Sequence, residues 1–97
     1  MDQASKNDLR LHLLKILHSL GQNLKPGESV LVQPQIDGTP TTNPISVSGY
    51  DWQQIDSMLR EMCETGLISS GSATYDAPAI GIFFSSLTPR GRELLGG

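Results

Sequence analysis

The sequence predicts one α+β domain with the element order helix, strand, helix, β-hairpin and short helix. Leucines recur at helical spacing near the start of the chain, and a second stretch after the midpoint has the same spacing. Runs rich in β-branched residues lie between and after these stretches. The 97 residues suit a single domain spanning 1–97, with residues 1–4 and 96–97 frayed.

The first helix is predicted from about Ser5 to Leu20, with Gly21 ending it. Ser5 and Asp8 have the spacing of a capping box, in which side chains satisfy the free backbone N–H groups of the first turn. The residues that form the predicted core stripe are Leu9, Leu13, Ile16, Leu17 and Leu20.

The middle of the chain predicts strands and a loop. The segment from Ser29 to Ile36 is rich in β-branched residues, and we expect an edge strand because Pro34 cannot donate to a ladder. Residues 37–44 are rich in turn-forming residues and predict a mobile loop. Ile45 to Val47 predicts a second, short strand.

The second helix is predicted to begin after Ser48 or Asp51 and to run through Thr65 to a stop at Gly66. Its apolar face carries Trp52, Ile55, Leu59, Met62 and Cys63, with Met58 at the margin. We expect Trp52, Ile55 and Leu59 to share one core with Leu13, Leu17 and Ile82.

The last third predicts a hairpin and a short helix. Leu67 to Ser69 and Ile80 to Leu87 are β-prone runs on either side of a polar loop. Thr88 and Pro89 then have the residue types of an N-cap and a first helical position.

The second half of the chain resembles a known family. A helix ending in EMCETGLISSG, a hairpin and then SSLTPRGRELL resemble the C-terminal half of winged-helix regulators of the MarR and PadR kinds, over roughly Trp52 to Leu95. The resemblance implies a winged-helix-like domain. A standard winged helix has a short helix before the recognition helix, and in this chain SVLVQPQI and a proline-rich loop take that place.

The resemblance implies DNA binding as one alternative. The helix 51–65 would read bases with Gln53, Gln54, Ser57 and Arg60, and the loop 70–79 would be the wing. That helix carries four acidic residues against the single Arg60, and the wing has no Lys or Arg. Because phosphate contacts supply most of the affinity for DNA, this charge pattern disfavours the alternative.

The back of the first helix gives the favoured interpretation. Leu11 and Leu14 are predicted to point away from the core stripe, next to His18. Such leucines need a cover, which is either the chain's own strands or another molecule. In the second case Leu11, Leu14 and His18 form the candidate protein interface. We therefore expect a non-catalytic module that acts through protein–protein contacts with another protein or as a regulatory homodimer.

Other function classes have no positive signal in the sequence. No nucleophile, phosphate loop or carboxylate pair has a recognisable motif, and His12 and His18 lack metal-ligand spacing, so we expect no catalysis, cofactor or metal. Cys63, on the apolar stripe, is predicted to be a buried, inert thiol. A single cysteine favours a reducing, cytoplasmic compartment, and charged residues interrupt every apolar run, so no membrane span is expected.

Overall fold

The computed structural model describes residues 2–70 and 80–96. These residues form a mixed α+β fold with three helices and one four-stranded sheet. In chain order the elements are α1 (Gln3–Gly21), β1 (Val30–Pro34), β2 (Pro44–Ile45), α2 (Trp52–Glu64), β3 (Ile68–Ser70), β4 (Ile82–Leu87) and α3 (Pro89–Leu94).

The sheet has the order β2-β1-β4-β3. Strand β4 pairs antiparallel with both β1 and β3, whereas β1 and β2 pair parallel. The predicted α+β class and hairpin strands are therefore confirmed. The predicted wing loop, residues 70–79, lies outside the described residues apart from Ser70, which ends β3.

Helices α1 and α2 pack against one face of the sheet and against each other. Side chains alternate across strands, so Val32, Ile82 and Phe84 face the helices and are buried. Leu31 and Phe83, which are cross-strand partners, lie on the other face and are half-buried. The full buried core consists of Leu9, Leu13, Leu14, Leu17, Val32, Ile45, Ile55, Met58, Leu59, Met62, Leu67, Ile68, Ile82, Phe84 and Leu87.

Helix α1 begins earlier than predicted, at Gln3, because Asp2 rather than Ser5 is its N-cap. The Asp2 carboxylate accepts from the backbone N–H of Ser5 at 2.7 Å. Asp8 instead accepts a hydrogen bond from the hydroxyl of Tyr50 at 2.8 Å. This bond to a carboxylate raises the pKa of Tyr50 and ties the segment before α2 to α1.

Strand β1 is not an edge strand, which corrects the prediction based on Pro34. The last β1–β4 pair is Val32 with Ile82, so Pro34 lies where β4 requires no donor. On the other side, the N–H of Gln35 donates to the carbonyl of Ile45 at 2.8 Å. Backbone N–H groups alternate in direction along a strand, so the missing donor of Pro34 falls on the unpaired side.

Two hydrogen bonds hold the segment between β1 and β2 against the sheet. The backbone N–H of Thr42 donates to the side chain of Gln33 at 2.8 Å, and the side-chain amide of Asn43 donates to the carbonyl of Leu31 at 2.8 Å. In the described residues 22–51 there is no helix between α1 and α2. Strands β1 and β2 are the regular elements of this segment.

Helix α2 is capped at both ends by side-chain and backbone bonds. Asp51 and Gln54 form a complete capping box, with bonds of 2.8 and 3.0 Å, so Asp51 rather than Ser48 is the N-cap. At the other end Gly66 has φ 77°, and the N–H of Leu67 donates to the carbonyl of Met62 at 2.9 Å. This pattern is the Schellman motif, and it confirms the predicted stop at Gly66.

The buried face of α2 differs from the prediction at both of its margins. Met58 is fully part of the core, whereas Trp52 is half-buried and lies outside the core cluster. Trp52 is the first residue of α2 and therefore lies at the end of the helix face that packs on the core. The expected core is otherwise confirmed for Ile55, Leu59, Leu13, Leu17 and Ile82.

The turn after α2 and the start of α3 are joined directly. Thr88 caps α3, its backbone N–H donates to the carbonyl of Leu67 at 3.1 Å, and its hydroxyl donates to the carbonyl of Gly66 at 2.5 Å. A Cβ on Gly91 would overlap the carbonyl oxygen of Leu67. Glycine at position 91 therefore allows the close packing of α3 on this turn.

No helix in the described ranges is long and apolar enough to cross a bilayer.

Candidate protein-interaction surface

The two leucines that the sequence assigns to the back of α1 have different environments. Leu14 is only 1% exposed and belongs to the core, so the prediction that it lies away from the core is wrong. Leu11 is 38% exposed. On a helix of about 100° per residue, Leu14 lies only about 60° from Leu17, so it extends the core stripe instead of lying opposite to it.

A second exposed leucine lies beside Leu11. Leu94, near the end of α3, is 51% exposed, and these two are the exposed large hydrophobic side chains in the part of the chain that the structure describes. Both line one groove of about 320 Å³, together with Leu14, Asn7 and Arg10. The buried Leu14 thus lies beneath the exposed pair.

Leu94 also lines a neighbouring groove. This groove, of about 340 Å³, is lined by Arg10, Thr65, Leu67, Arg90 and Leu94. Arg10 and Leu94 are shared by both grooves. We call the surface formed by Leu11, Leu94, Arg10 and Arg90 the α1–α3 surface.

The two arginines of the α1–α3 surface are held by neighbouring groups. Arg10 donates to the side chain of Asn7 at 2.9 Å, and its other terminal nitrogen lies 3.9 Å from Glu61. Arg90 donates to the carbonyl of Thr65 at 3.0 Å, which also satisfies an acceptor at the end of α2. Both guanidinium groups therefore have defined positions next to exposed leucines.

His18, the third predicted interface residue, lies elsewhere. It is exposed, and its Nε2 lies 3.3 Å from the side-chain nitrogen of Gln22. It lines a smaller groove of about 160 Å³ with Arg92 and Leu87 among its other residues. The grooves that contain His18 and Leu11 share no lining residue, so the structure does not bring these two residues into one site.

The residues of the DNA-binding alternative lie on the outer side of α2, and two of the four make internal contacts. The Gln54 side chain completes the capping box, and Arg60 forms an ion pair with Asp56 at 3.2 Å. Gln53 and Ser57 are exposed. A groove of about 560 Å³ is lined by Gln54, Ser57 and Arg60 together with Lys6, Met58, Glu61 and Glu64.

Asp56 connects this helix to the sheet. Its carboxylate accepts from the backbone N–H of Gly81 at 2.6 Å in addition to pairing with Arg60. Gly81 has φ 92°, and a Cβ there would overlap the carbonyl of Val32. The Asp56–Arg60 pair therefore belongs to the support of β4, which reduces the freedom of Arg60 to reach a base edge.

Cys63 is half-buried against the core rather than fully buried. Burial raises the pKa of its thiol above the ordinary value, so the reactive thiolate is disfavoured near neutral pH. Within residues 2–70 and 80–96, the His, Cys, Asp and Glu side chains form no group of three or more that could hold a metal.

Sequence reasoning missed Leu94, Arg10 and Arg90 as candidate site residues. Leu94 follows Arg90 by four residues in a short helix, and this spacing places both on one face. This four-residue spacing was the signal in the sequence that could have placed Arg90 and Leu94 on one surface. The approach of α3 to α1 depends on the close packing at Gly91, which only the three-dimensional structure shows.

Comparison with protein-family models, curated proteins and solved structures finds no match.

Proposed function

We propose that this chain is a non-catalytic, winged-helix-like module that acts through protein–protein contacts at the α1–α3 surface. The observation that carries the proposal is the convergence of Leu11 and Leu94, from two separate helices, on one groove. Exposed leucine side chains are costly to hydrate. Large apolar side chains that are exposed together at one groove are typical of interaction sites.

The winged-helix part of the proposal is supported by the turn after α2. The left-handed cap at Gly66, the bonds from Thr88 and the close approach at Gly91 give a physical role to these three residues of the TGLISSG and SSLTPRGRELL segments that carry the resemblance. The cytoplasmic location remains a prediction that rests on the single cysteine.

Photo-crosslinking in cells that produce the protein natively tests the proposal. We expect Leu94→p-benzoylphenylalanine to give a covalent adduct with a protein, because this side chain is half-exposed at the centre of the proposed interface. Leu31→p-benzoylphenylalanine is the matched control, since Leu31 is a half-buried leucine on the opposite face of the sheet.

The mass of the adduct distinguishes the partners. An adduct of two copies of the chain supports the homodimer, and an adduct of different mass identifies another protein. The absence of any protein adduct at both Leu94 and Leu11 contradicts the proposed function. DNA binding by the helix 51–65 remains the alternative.

A further inference from the structure

We infer that the α1–α3 surface binds an acidic, amphipathic helix of a partner protein. This inference rests on the proposed function and names the partner by its chemistry. Its basis is the combination of two exposed leucines with arginines at their margins.

The charge of the surface is opposite in sign to that of the whole chain. The residues that line the two grooves include Arg10 and Arg90 and no acidic residue among the described ranges, although the formal net charge of the protein is −3. Glu61, which lies 3.9 Å from Arg10, also pairs with Lys6 at 3.2 Å. Two cations therefore share one anion, and the surface has an excess of positive charge.

Arg90 adds to this excess. Its hydrogen bond in the structure is to the backbone carbonyl of Thr65, which carries no charge. An incoming carboxylate can accept from the remaining N–H groups of a guanidinium, which presents five donors in a fixed plane. Charge complementarity thus favours Asp or Glu at the margin of the partner.

A second copy of this chain fits the surface less well. A two-fold contact places the same patch of both copies against itself, so the arginines of one copy approach those of the other. Like charges across an interface disfavour that pairing. A heterologous partner with acidic side chains meets no such repulsion.

The shape of the surface favours a helix as the partner. Leu94 stands between two grooves of about 320 and 340 Å³, and it lines both. A helix with apolar residues at positions i, i+3, i+4 and i+7 can place one side chain in each groove, in the helix-in-groove mode of recognition. Its Asp or Glu residues at the edge of the apolar stripe would then lie near Arg10 and Arg90.

The test uses a designed, fluorescein-labelled peptide of roughly 18 residues, long enough to form a helix. It has leucine at the four stripe positions and glutamate beside them, and a twin peptide has lysine in place of each glutamate. Fluorescence anisotropy measures binding to the full chain. We expect saturable, micromolar binding of the glutamate peptide, because a small, partly polar interface gives weak and transient association.

We expect the lysine twin to bind at least about tenfold more weakly, since each exposed ion pair contributes roughly a two- to fivefold change in affinity. Leu94→Ser should weaken the glutamate peptide by a similar factor or more. Leu31→Ser, the control on the other sheet face, should leave the affinity unchanged. Raising the salt from about 0.05 M to about 0.5 M should weaken binding, because salt screens exposed charges.

Three results overturn the inference. Equal affinity of both peptides shows that acidic residues are not recognised, while the surface itself remains an interaction site. Failure of both peptides together with a dimer in sedimentation that Leu94→Ser abolishes shows that a second copy is the partner, which leaves the proposed function intact. Failure of both peptides without self-association also overturns the inference, and the photo-crosslinking adducts then decide the proposed function separately.

Discussion

At the scale of single residues, the position of a leucine on α1 determines whether it is buried in the core or exposed at the surface. Leu11 and Leu14 are neighbouring positions of the same type on the same helix, and their exposed fractions are 38% and 1%. Leu14 is enclosed because α1 packs against both β4 and α2, so more than one side of the helix is covered. Leu11 lies just outside this enclosure.

Glutamate at these two positions should have opposite consequences. Leu14→Glu would place a carboxylate in the core, and we expect the free energy of unfolding to fall by at least about 3 kcal/mol, because an unpaired buried charge is strongly unfavourable. Leu11→Glu should lower it by less than about 1 kcal/mol, as at most surface positions. Denaturant unfolding followed by circular dichroism measures both. A stable, folded Leu14→Glu protein would show that Leu14 is exposed in solution.

At the scale of elements, the junction between α2, β3 and α3 depends on one close approach. Gly91 lies inside α3, where alanine is intrinsically the better helix former. Packing requires the opposite choice, since a Cβ at position 91 would overlap the Leu67 carbonyl. Gly21, the last residue of α1, has no such constraint, because a Cβ there would lie 3.4 Å from the ring of Phe84.

Alanine at these two glycines should therefore change stability in opposite directions. We expect Gly91→Ala to cost about 1–3 kcal/mol, as is typical when a close-packed site is overfilled. Gly21→Ala should be neutral or should stabilise the protein by up to about 1 kcal/mol through helix propensity. The midpoints of urea unfolding give both values. A Gly91→Ala protein as stable as Gly21→Ala would mean that α3 does not pack tightly on Leu67.

The elements that the sequence predicts correctly are those determined by local patterns. Helix α2, its stop at Gly66 and the Thr88 cap follow from signals within a few residues. The pairing of β2 with β1 does not, because β2 has two residues and each of them pairs with a residue 11 positions earlier in the chain. Pro34 predicted an edge strand because it has no backbone donor, and a local pattern does not show on which side of the strand that donor is missing. Its acceptability in an interior strand depends on where the β1–β4 ladder ends.

The candidate site was predicted only in part. Leu11 was identified from its place on the helix, and the structure leaves it exposed. Leu94 and Arg90 join it through tertiary packing of α3, and His18 lies in a different groove. A helical pattern gives the direction of a side chain relative to its own helix axis. It does not give the number of elements that cover that direction, which decided the different environments of Leu11 and Leu14.

At the scale of the whole molecule, the distribution of charge separates the two functional alternatives. The chain has a formal net charge of −3, and Lys6 and Arg60 are engaged by the nearby carboxylates of Glu61 and Asp56. Arg10, which shares Glu61 with Lys6, and Arg90 form a positive surface next to the exposed leucines. That combination favours an acidic protein surface over a sugar–phosphate backbone, which offers no apolar stripe to the leucines.

Binding to DNA should accordingly be weak and non-specific. We expect a Kd no tighter than about 10⁻⁴–10⁻⁶ M at physiological salt, with the affinity falling as salt rises, because only phosphate contacts would contribute. Fluorescence anisotropy with labelled, mixed-sequence duplexes at low and moderate salt measures it.

The variants Gln53→Ala and Ser57→Ala, at the two exposed positions of the proposed recognition face, should bind as the wild type does. Nanomolar binding that selects one sequence, and that Gln53→Ala weakens, would instead assign the helix 51–65 to base recognition. The α1–α3 surface would then be free to serve a second partner of a DNA-bound regulator.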